Sequence, residues 1–271
     1  MEGFPTKIVA SNQFCEKTKK IAFVHCDVSV KPVLEDFYKS KAECVSEYMS
    51  FDKVCFVSKR ALLGFEKTFG ILDNSMVIHN VIDEEEILNK SEEETEFEFI
   101  TNGLKLISIG RLSSEKGYDR LIRIVSKLEK KYEFELWILG EGPERDNLET
   151  IIRNLNVSSV KLLGFKKNPY SYMKKADLYI CPSYFEGYST TVTECMLLKI
   201  PVLTVDCAGM DEILDNGKYG KITKNSEEAL LDGLAGFLED EHSLNLYIEN
   251  LKTYHRNKSI EEYDMLFQQI G

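Results

Sequence analysis

The sequence predicts an α/β protein whose parallel sheets are covered on both faces. Three observations predict it. From residue 104 onward, short apolar runs alternate with amphipathic stretches at helical spacing. The chain has 271 residues, enough for two cores of ordinary domain size. Its composition, 43% hydrophobic and 29% charged, is that of an ordinary globular chain.

The second half carries the pattern in order. LKLISIG (104–110) is a short apolar run and reads as a strand. YDRLIRIVSKLEKKY (118–132) follows, with Leu121, Ile122, Ile124, Val125 and Leu128 on one helical face. FELWILG (134–140) is a second strand and ERDNLETIIRNLNV (144–157) a second helix. VKLLG (160–164), NPYSYMKKA (168–176), LYICPS (178–183), TTVTECMLLK (190–199), PVLTVD (201–206) and YGKIT (219–223) continue the alternation. Right-handed crossovers between such strands give a doubly wound, Rossmann-like domain. SEEALLDGLAGFLED and the residues after it read as helices.

The first hundred residues are α/β as well, with shorter elements. KIVAS, KIAFVHCD, KVCFVS and SMVIHN look like strands, and VLEDFYKSKAECVSEYM and KRALLGFEKTFG like helices between them. The acidic stretch near 83–98 has the composition of a solvated linker or surface excursion. The expected division is therefore a partial N-terminal domain, 1–100, and a C-terminal domain, 101–271.

A formal net charge of −11 argues against a general nucleic-acid binder and against broad adhesion to anionic lipid. The seven cysteines include no CxxC pair, and most sit among apolar residues, so reduced, buried thiols in a cytosolic protein are expected. No apolar run approaches the roughly 20 residues of a membrane span, and MEGFPTKIVA has no signal-peptide core.

In a doubly wound sheet, ligands bind beyond the C-terminal strand ends. There the sequence gathers Gly110, Arg111, Lys116 and Gly117, the turn GEGP, and the hydroxyl-rich FEGYSTTVTE (185–194). A helix starting in that stretch would offer free N–H groups to an anion. Gly187 would allow close backbone approach, and Arg111 and Lys116 would add positive charge suited to a diphosphate. Each of those two cations could instead be part of a solvated turn. Glu194 fits a capping box opened by Thr191. Glu186 lies in the strand-to-helix loop, where an ionised carboxylate could accept hydrogen bonds from ligand hydroxyls. A phosphate site beside a carboxylate suggests a ligand with both phosphate and polyol, such as a nucleotide sugar.

GRLSSEKGYDRLI, followed by LLGFKKNPYSYMKKADLYICPSYFEGYSTTVTECMLLKIPVLTVDCAGMDEIL, resembles the donor domain of glycosyltransferase family 4. Members of that family are retaining enzymes of the GT-B fold. The resemblance covers about 104–270 well and 2–83 more loosely. It implies a GT-B-like protein of two Rossmann-like domains, the N-terminal one incomplete and the last helix crossing back to it. Glu186-x7-Glu194, with Gly187 and Tyr188 after the first Glu, matches the family's paired glutamates, and Gly110-Arg111-x4-Lys116-Gly117 its basic turn.

The resemblance implies that Arg111 and Lys116 hold the donor pyrophosphate, Glu186 contacts the donor sugar and Glu194 the ribose. The amides of Tyr188, Ser189 and Thr190 would meet the diphosphate, and Gly164 and Phe165 the base. Ser189 stands where many relatives have Gly. His25, which by itself reads more readily as structural, resembles a His that faces the donor sugar. No metal or other cofactor is implied.

The expected activity moves a sugar from a nucleotide sugar to a hydroxyl of a glycan or lipid-linked acceptor in surface polysaccharide synthesis. Cytoplasmic residence follows, with peripheral association at the inner membrane face. EGFPTKIVAS resembles a segment well inside the family's first domain, so about half of that domain is expected to be absent. The alternative is therefore a nucleotide-sugar-binding module, inert alone or completed by self-association or a partner chain. A nucleotide-sugar epimerase would not explain the basic turn and the glutamate pair in this order.

Overall fold

In the computed structural model the described residues are 4–11, 17–30, 37–240, 242–255 and 258–270. Packing divides the chain into two units. One comprises Met1–Val81, Phe185–Tyr188 and Arg256–Gly271, the other Ile82–Tyr184 and Ser189–His255.

The first unit begins with α1 (Phe4–Ser11), β1 (Ile21–Val24), α2 (Lys41–Met49), β2 (Lys53–Phe56), α3 (Lys59–Phe69) and β3 (Ser75–Val77). Its strands form a parallel sheet in the order β1-β2-β3, with Ile21 opposite Lys53 and Val54 opposite Ser75. Side chains on β2 alternate between two cores. Val54 and Phe56 join Ala22, Val24, Tyr48 and Phe65 on one face, while Cys55 packs with Ile78 on the other. The rings of Tyr48 and Phe56 meet Phe65 at 5.2 and 5.3 Å in edge-to-face contacts, a favourable aromatic geometry.

Two expectations change here. KIVAS is not a strand but the end of α1; an apolar run this short fits either period, and Val9 and Ala10 are turned onto the core of the unit. The helix expected across VLEDFYKSKAECVSEYM is described only as α2, which starts at the N-cap Ser40; its hydroxyl accepts the Glu43 N–H at 3.1 Å. Residues 33–36 of that stretch lie outside the described residues.

The second unit opens with α4 (Glu84–Ser91) and β4 (Leu104–Ile109), then a 3-10 turn at Ser114–Lys116. It continues through α5 (Tyr118–Leu128), β5 (Phe134–Leu139), α6 (Arg145–Leu155), β6 (Val160–Gly164), α7 (Tyr170–Met173), β7 (Leu178–Cys181) and α8 (Thr190–Leu197). β8 (Val202–Val205), α9 (Met210–Ile213), β9 (Gly220–Thr223), α10 (Glu227–Glu239) and α11 (His242–Lys252) complete it. All six strands are parallel, in the order β6-β5-β4-β7-β8-β9. The order reverses between β4 and β7, and such a switch point opens a crevice at the strand ends. Every residue of β5, β7 and β8 is buried, which requires helices on both faces.

One polar side chain survives inside β5. Burial alone would raise the Glu135 carboxyl above the ordinary range. Hydrogen bonds from Lys161, the Trp137 indole and the Ile100 amide instead hold it below that range.

The acidic stretch 83–98 is not a free linker. Asp83 caps α4 by accepting the Glu86 N–H at 2.9 Å, and Ile87 is buried. The residues that follow clamp onto lysines of the second unit: Glu96 meets Lys166 at 2.6 Å, and Glu92 and Glu98 pair with Lys174 and Lys175. Phe99 stacks flat on the buried Trp137 at 3.7 Å. The charge run therefore clusters with the second unit, which begins at Ile82.

The last helix, α12 (Lys258–Ile270), belongs to the first unit. Leu266 and Ile270 cover Cys55 and Ile78 on one face of the β1-β2-β3 sheet, with Phe23 and Tyr263 packed at the margin. Of the seven cysteines, Cys15 lies outside the described residues; the six described ones are free thiols, five buried and Cys26 partly so. Among the described residues no helix is long and apolar enough to cross a membrane.

Candidate active site

In the second unit the strand ends at the switch point are tied into one rim. The Gly110 N–H donates to Leu139 O at 3.0 Å, and the Gly140 N–H to Gly164 O at 2.9 Å. Gly110, Gly140 and Gly164 therefore end three neighbouring strands, with Phe165, 73% exposed, just beyond. Arg111 follows Gly110 on the exposed surface, and among the described residues no carboxylate pairs with its guanidinium.

The turn carrying Lys116 then folds back. The Lys116 stem reaches within 3.7 Å of the place a Cβ on Gly110 would take, which puts its aliphatic part beside the end of β4. Gly117 has φ 67°, and a Cβ there would meet Pro182 O at 2.1 Å. No side chain fits, so the basic turn can lie directly on the segment leaving β7. The Tyr184 N–H donates to Glu115 O at 2.8 Å and closes that contact.

A residue with no evident sequence signal holds this junction. Arg120 is 1% exposed, and its Nε–H donates to Pro182 O at 2.8 Å. Its Nη1 donates to Asn225 Oδ1 at 2.9 Å, and Asn225 in turn donates to Tyr184 O at 3.1 Å. The guanidinium lies 4.0 Å from the Tyr184 ring centre, a cation–π contact. Burial lowers its pKa, yet an arginine keeps its charge.

α8 starts at the C-terminal side of this junction. Its N-cap is Ser189, whose hydroxyl accepts the Val192 N–H at 3.3 Å. Thr190 and Thr191 are the first two helical residues, so the first-turn amides belong to the hydroxyl-rich stretch. The capping box expected at Thr191 and Glu194 does not form. Ser189 takes the cap instead, leaving Glu194 inside the helix, two positions beyond the reach of a capping box. The Tyr170 hydroxyl donates to Glu194 Oε1 at a long 3.4 Å. Burial pushes the Glu194 carboxyl above its ordinary value, and that hydrogen bond offsets the effect only in part. Burial and the nearby carboxylate push the Tyr170 phenol up to about 12.

Phe185–Tyr188 packs with the first unit. A Cβ on Gly187 would lie 1.7 Å from His25 O, so backbone rests on backbone at the end of β1. The Ser58 hydroxyl, after β2, donates to Gly187 O at 3.4 Å. Beyond β3, the His79 ring lies 5.1 Å from that of Tyr188. The segment thus runs along the C-terminal ends of all three strands of the sheet. His25 is exposed, with its ring stacked on Phe23 at 6.0 Å.

The expected site residues fall into two sets. His25, Glu186, Gly187 and Tyr188 share the first unit; Gly110, Arg111, Lys116, Gly164, Phe165, Ser189, Thr190 and Glu194 share the second. Among the described residues no cluster of three or more His, Cys, Asp or Glu could hold a metal ion.

The sequence pattern of the family described as glycosyl transferases group 1 matches residues 89–254, more than half of the chain. The chain belongs to that family. Proteins of polysaccharide synthesis are among the relatives it matches. It is 33% identical over 180 residues to a Campylobacter jejuni N-acetylgalactosaminyltransferase acting on a diphospho-undecaprenol-linked sugar, covering 65% of this chain and 48% of the relative. It is 29% identical over 175 residues to the Escherichia coli O-antigen biosynthesis glycosyltransferase WclY, covering 63% and 48%. A match to an uncharacterised Methanocaldococcus jannaschii glycosyltransferase, 30% identical over 243 residues, covers 75% of this chain and 60% of the relative.

The chain thus spans about half the length of the curated relatives it matches. Among solved structures it resembles Anabaena HepE in complex with UDP and glucose, with a TM-score of 0.73 and 20% identity, covering 91% of this chain and 69% of that one. It also resembles S. aureus TarM in a complex containing UDP, with a TM-score of 0.76 and 19% identity, covering 94% and 52%. These likenesses, with the two parallel sheets, bear out the expected GT-B-like α/β class.

Proposed function

We propose that this protein is a retaining glycosyltransferase of family 4 that moves a sugar from a UDP-sugar to a hydroxyl of a glycan or lipid-linked glycan in surface polysaccharide synthesis. The bond between the anomeric carbon and the diphosphate breaks, and UDP leaves with the electron pair. The acceptor oxygen bonds to the same carbon and its proton passes to the departing diphosphate oxygen. Arg111 and Lys116 meet the diphosphate and stabilise the charge that grows on it as it leaves. The amides of Tyr188, Ser189 and Thr190 add donors at the α8 start. Glu194 accepts the ribose hydroxyls, Gly164 and Phe165 border the base, and Glu186 and His25 contact the sugar. The reaction belongs on the cytoplasmic side, next to the membrane that would carry a lipid-linked acceptor.

The observation that carries this reading is the basic turn laid on the β7–α8 junction at the switch point of the matched family domain. UDP comes from the solved neighbours, and the polysaccharide setting and lipid-linked acceptor from the curated relatives. The test is a transfer and donor-hydrolysis assay over a panel of UDP-sugars, with Glu186→Gln beside the wild type. Loss of a preorganised polar contact at the reacting centre should lower turnover by about 10²–10³-fold at unchanged melting temperature. Full turnover in the variant contradicts the reading.

A second reading rests on β1, which among the described residues pairs on one side only. A partner chain or second copy adding a strand there would make this chain the donor-binding part of an assembly. UDP binding with neither transfer nor hydrolysis by the chain alone favours it.

A further inference from the structure

The last helix covers the sheet of the first unit through Leu266 and Ile270. Two consecutive residues of the same helix do something else. Glu262 reaches past the core to His79 at the end of β3. Its Oε2 accepts the His79 backbone N–H at 2.8 Å, and its two oxygens lie 2.8 and 3.0 Å from His79 Nδ1. An ionised carboxylate only accepts hydrogen bonds, so Nδ1 carries the proton, and the ring is fixed in tautomer and in plane. The centre of that ring lies 5.1 Å from that of the Tyr188 ring, the two planes tilted by 52°. Tyr263 makes a parallel chain. Its ring stacks on Phe23 at 6.2 Å, and Phe23 stacks on His25 at 6.0 Å.

We infer that Glu262 and Tyr263 are positioning residues for the sugar-contact segment, Glu262 acting through His79 on Tyr188 and Tyr263 acting through Phe23 on His25. The inference rests on the proposed roles of Tyr188 and His25 and adds a device that sets them. Helix docking alone does not require it, because Leu266 and Ile270 already cover the apolar sheet face. A carboxylate that takes both the main-chain and the ring N–H of one residue leaves that residue a single orientation. Both His79 and His25 follow strand ends, where a loop would otherwise be free to choose among conformers. Gly187, pressed on His25 O, and Tyr188, beside His79, then take their positions from these two supports.

The test uses Glu262→Ala, Glu262→Gln and Tyr263→Leu, with Leu266→Ala as a control for loosened helix packing. Amide exchange is followed at 185–188, the ring nitrogens of His25 and His79 by ¹⁵N NMR, and UDP binding by calorimetry. Glu262→Ala should speed exchange at 185–188 selectively, move His79 away from the Nδ1–H tautomer, and weaken UDP about tenfold, which equals 1.4 kcal/mol. Glu262→Gln keeps an acceptor oxygen and should recover most of each effect. Tyr263→Leu should shift the His25 resonances and leave those of His79 in place. Leu266→Ala should lower the melting temperature and loosen α12 and β3 without selectivity for 185–188.

Unchanged exchange at 185–188 and an unchanged His79 tautomer in Glu262→Ala overturn the inference. If the wild type binds no UDP or other nucleoside diphosphate, the donor reading fails by itself. The exchange and tautomer comparison still decides whether Glu262 sets the segment.

Discussion

Glu186 and Glu194 stand eight positions apart in the chain and in different physical settings. Glu186 lies in an irregular segment that packs with the first unit, beside a glycine whose backbone rests on His25. Glu194 lies in the interior of α8 in the second unit, where burial raises its pKa and its carboxylate accepts a long hydrogen bond from Tyr170. The loop glutamate adjoins a glycine held by backbone contact, and the helical one is enclosed by packing. The same residue type is thus suited to two tasks: a loop carboxylate can follow a reacting sugar, and a helix-held one can present a fixed acceptor to a diol.

After Glu186→Gln, the largest effect expected from disturbing this contrast is at Gly187. In Gly187→Ala the new Cβ overlaps His25 O, which is backbone and cannot swing away. The segment must shift, and a displacement of about 1 Å near a reacting centre can cost roughly 10²-fold in turnover. Steady-state transfer kinetics check this; turnover within about twofold of wild type would show that the segment tolerates displacement, a change worth only ~0.4 kcal/mol.

At Glu194 the effect should be of similar size or smaller and fall on binding. Glu194→Ala removes an ionised acceptor, and hydrogen bonds to charged groups are worth about 1.5–3 kcal/mol, so UDP should weaken by roughly 10–150-fold. The pH dependence has a definite sign. The folded carboxyl has a raised pKa, so its contribution to stability is fully present below the unfolded value. That contribution is lost as pH rises from the ordinary carboxylate range through the raised one. Glu194→Gln should remove this fall from the denaturation profile of the unliganded protein, whereas UDP should bind the wild type better above the raised pKa than below it. A wild-type profile retained in Glu194→Gln would show that the carboxyl is not the source.

The smallest effect is at Ser189. Serine-to-glycine at an N-cap costs only a few tenths of a kcal/mol, whereas alanine costs about 1 kcal/mol. Ser189→Gly should therefore leave UDP affinity within about twofold of wild type. Thermal melts and UDP titration check both; a large loss of affinity in Ser189→Gly would give the hydroxyl a direct role in binding.

The second unit was the more legible in sequence because its strands are apolar throughout and its helices carry strong periodic faces, as in Leu121, Ile122, Ile124, Val125 and Leu128. The first unit has shorter elements, and KIVAS shows how a few apolar residues fit strand and helix alike. The acidic stretch misled for a different reason. Its charges read as those of a free segment, but Glu96, Glu92 and Glu98, though still largely exposed, pair with Lys166, Lys174 and Lys175, 70 to 82 positions away. Asp83 followed by Glu86 was the signal for α4 that composition concealed.

At the site, motif spacing pointed to Gly110, Arg111, Lys116, Glu186 and Glu194 because those residue types recur where phosphate and polyol are held. Arg120, Tyr170, His79 and Glu262 gave no such signal. Each acts through partners brought together by the fold, as Arg120 does through Pro182 and Asn225.

The most direct measurement is the stabilisation of the chain by UDP, compared between the wild type and the double variant Arg111→Ala, Lys116→Ala. If the basic turn grips the diphosphate, UDP at about 100 times its Kd should stabilise the wild type by about 2.7 kcal/mol, and the same UDP concentration should leave the variant's melting temperature nearly unchanged. Equal stabilisation of both proteins, or none of the wild type, would contradict the assignment of Arg111 and Lys116 as the diphosphate grip.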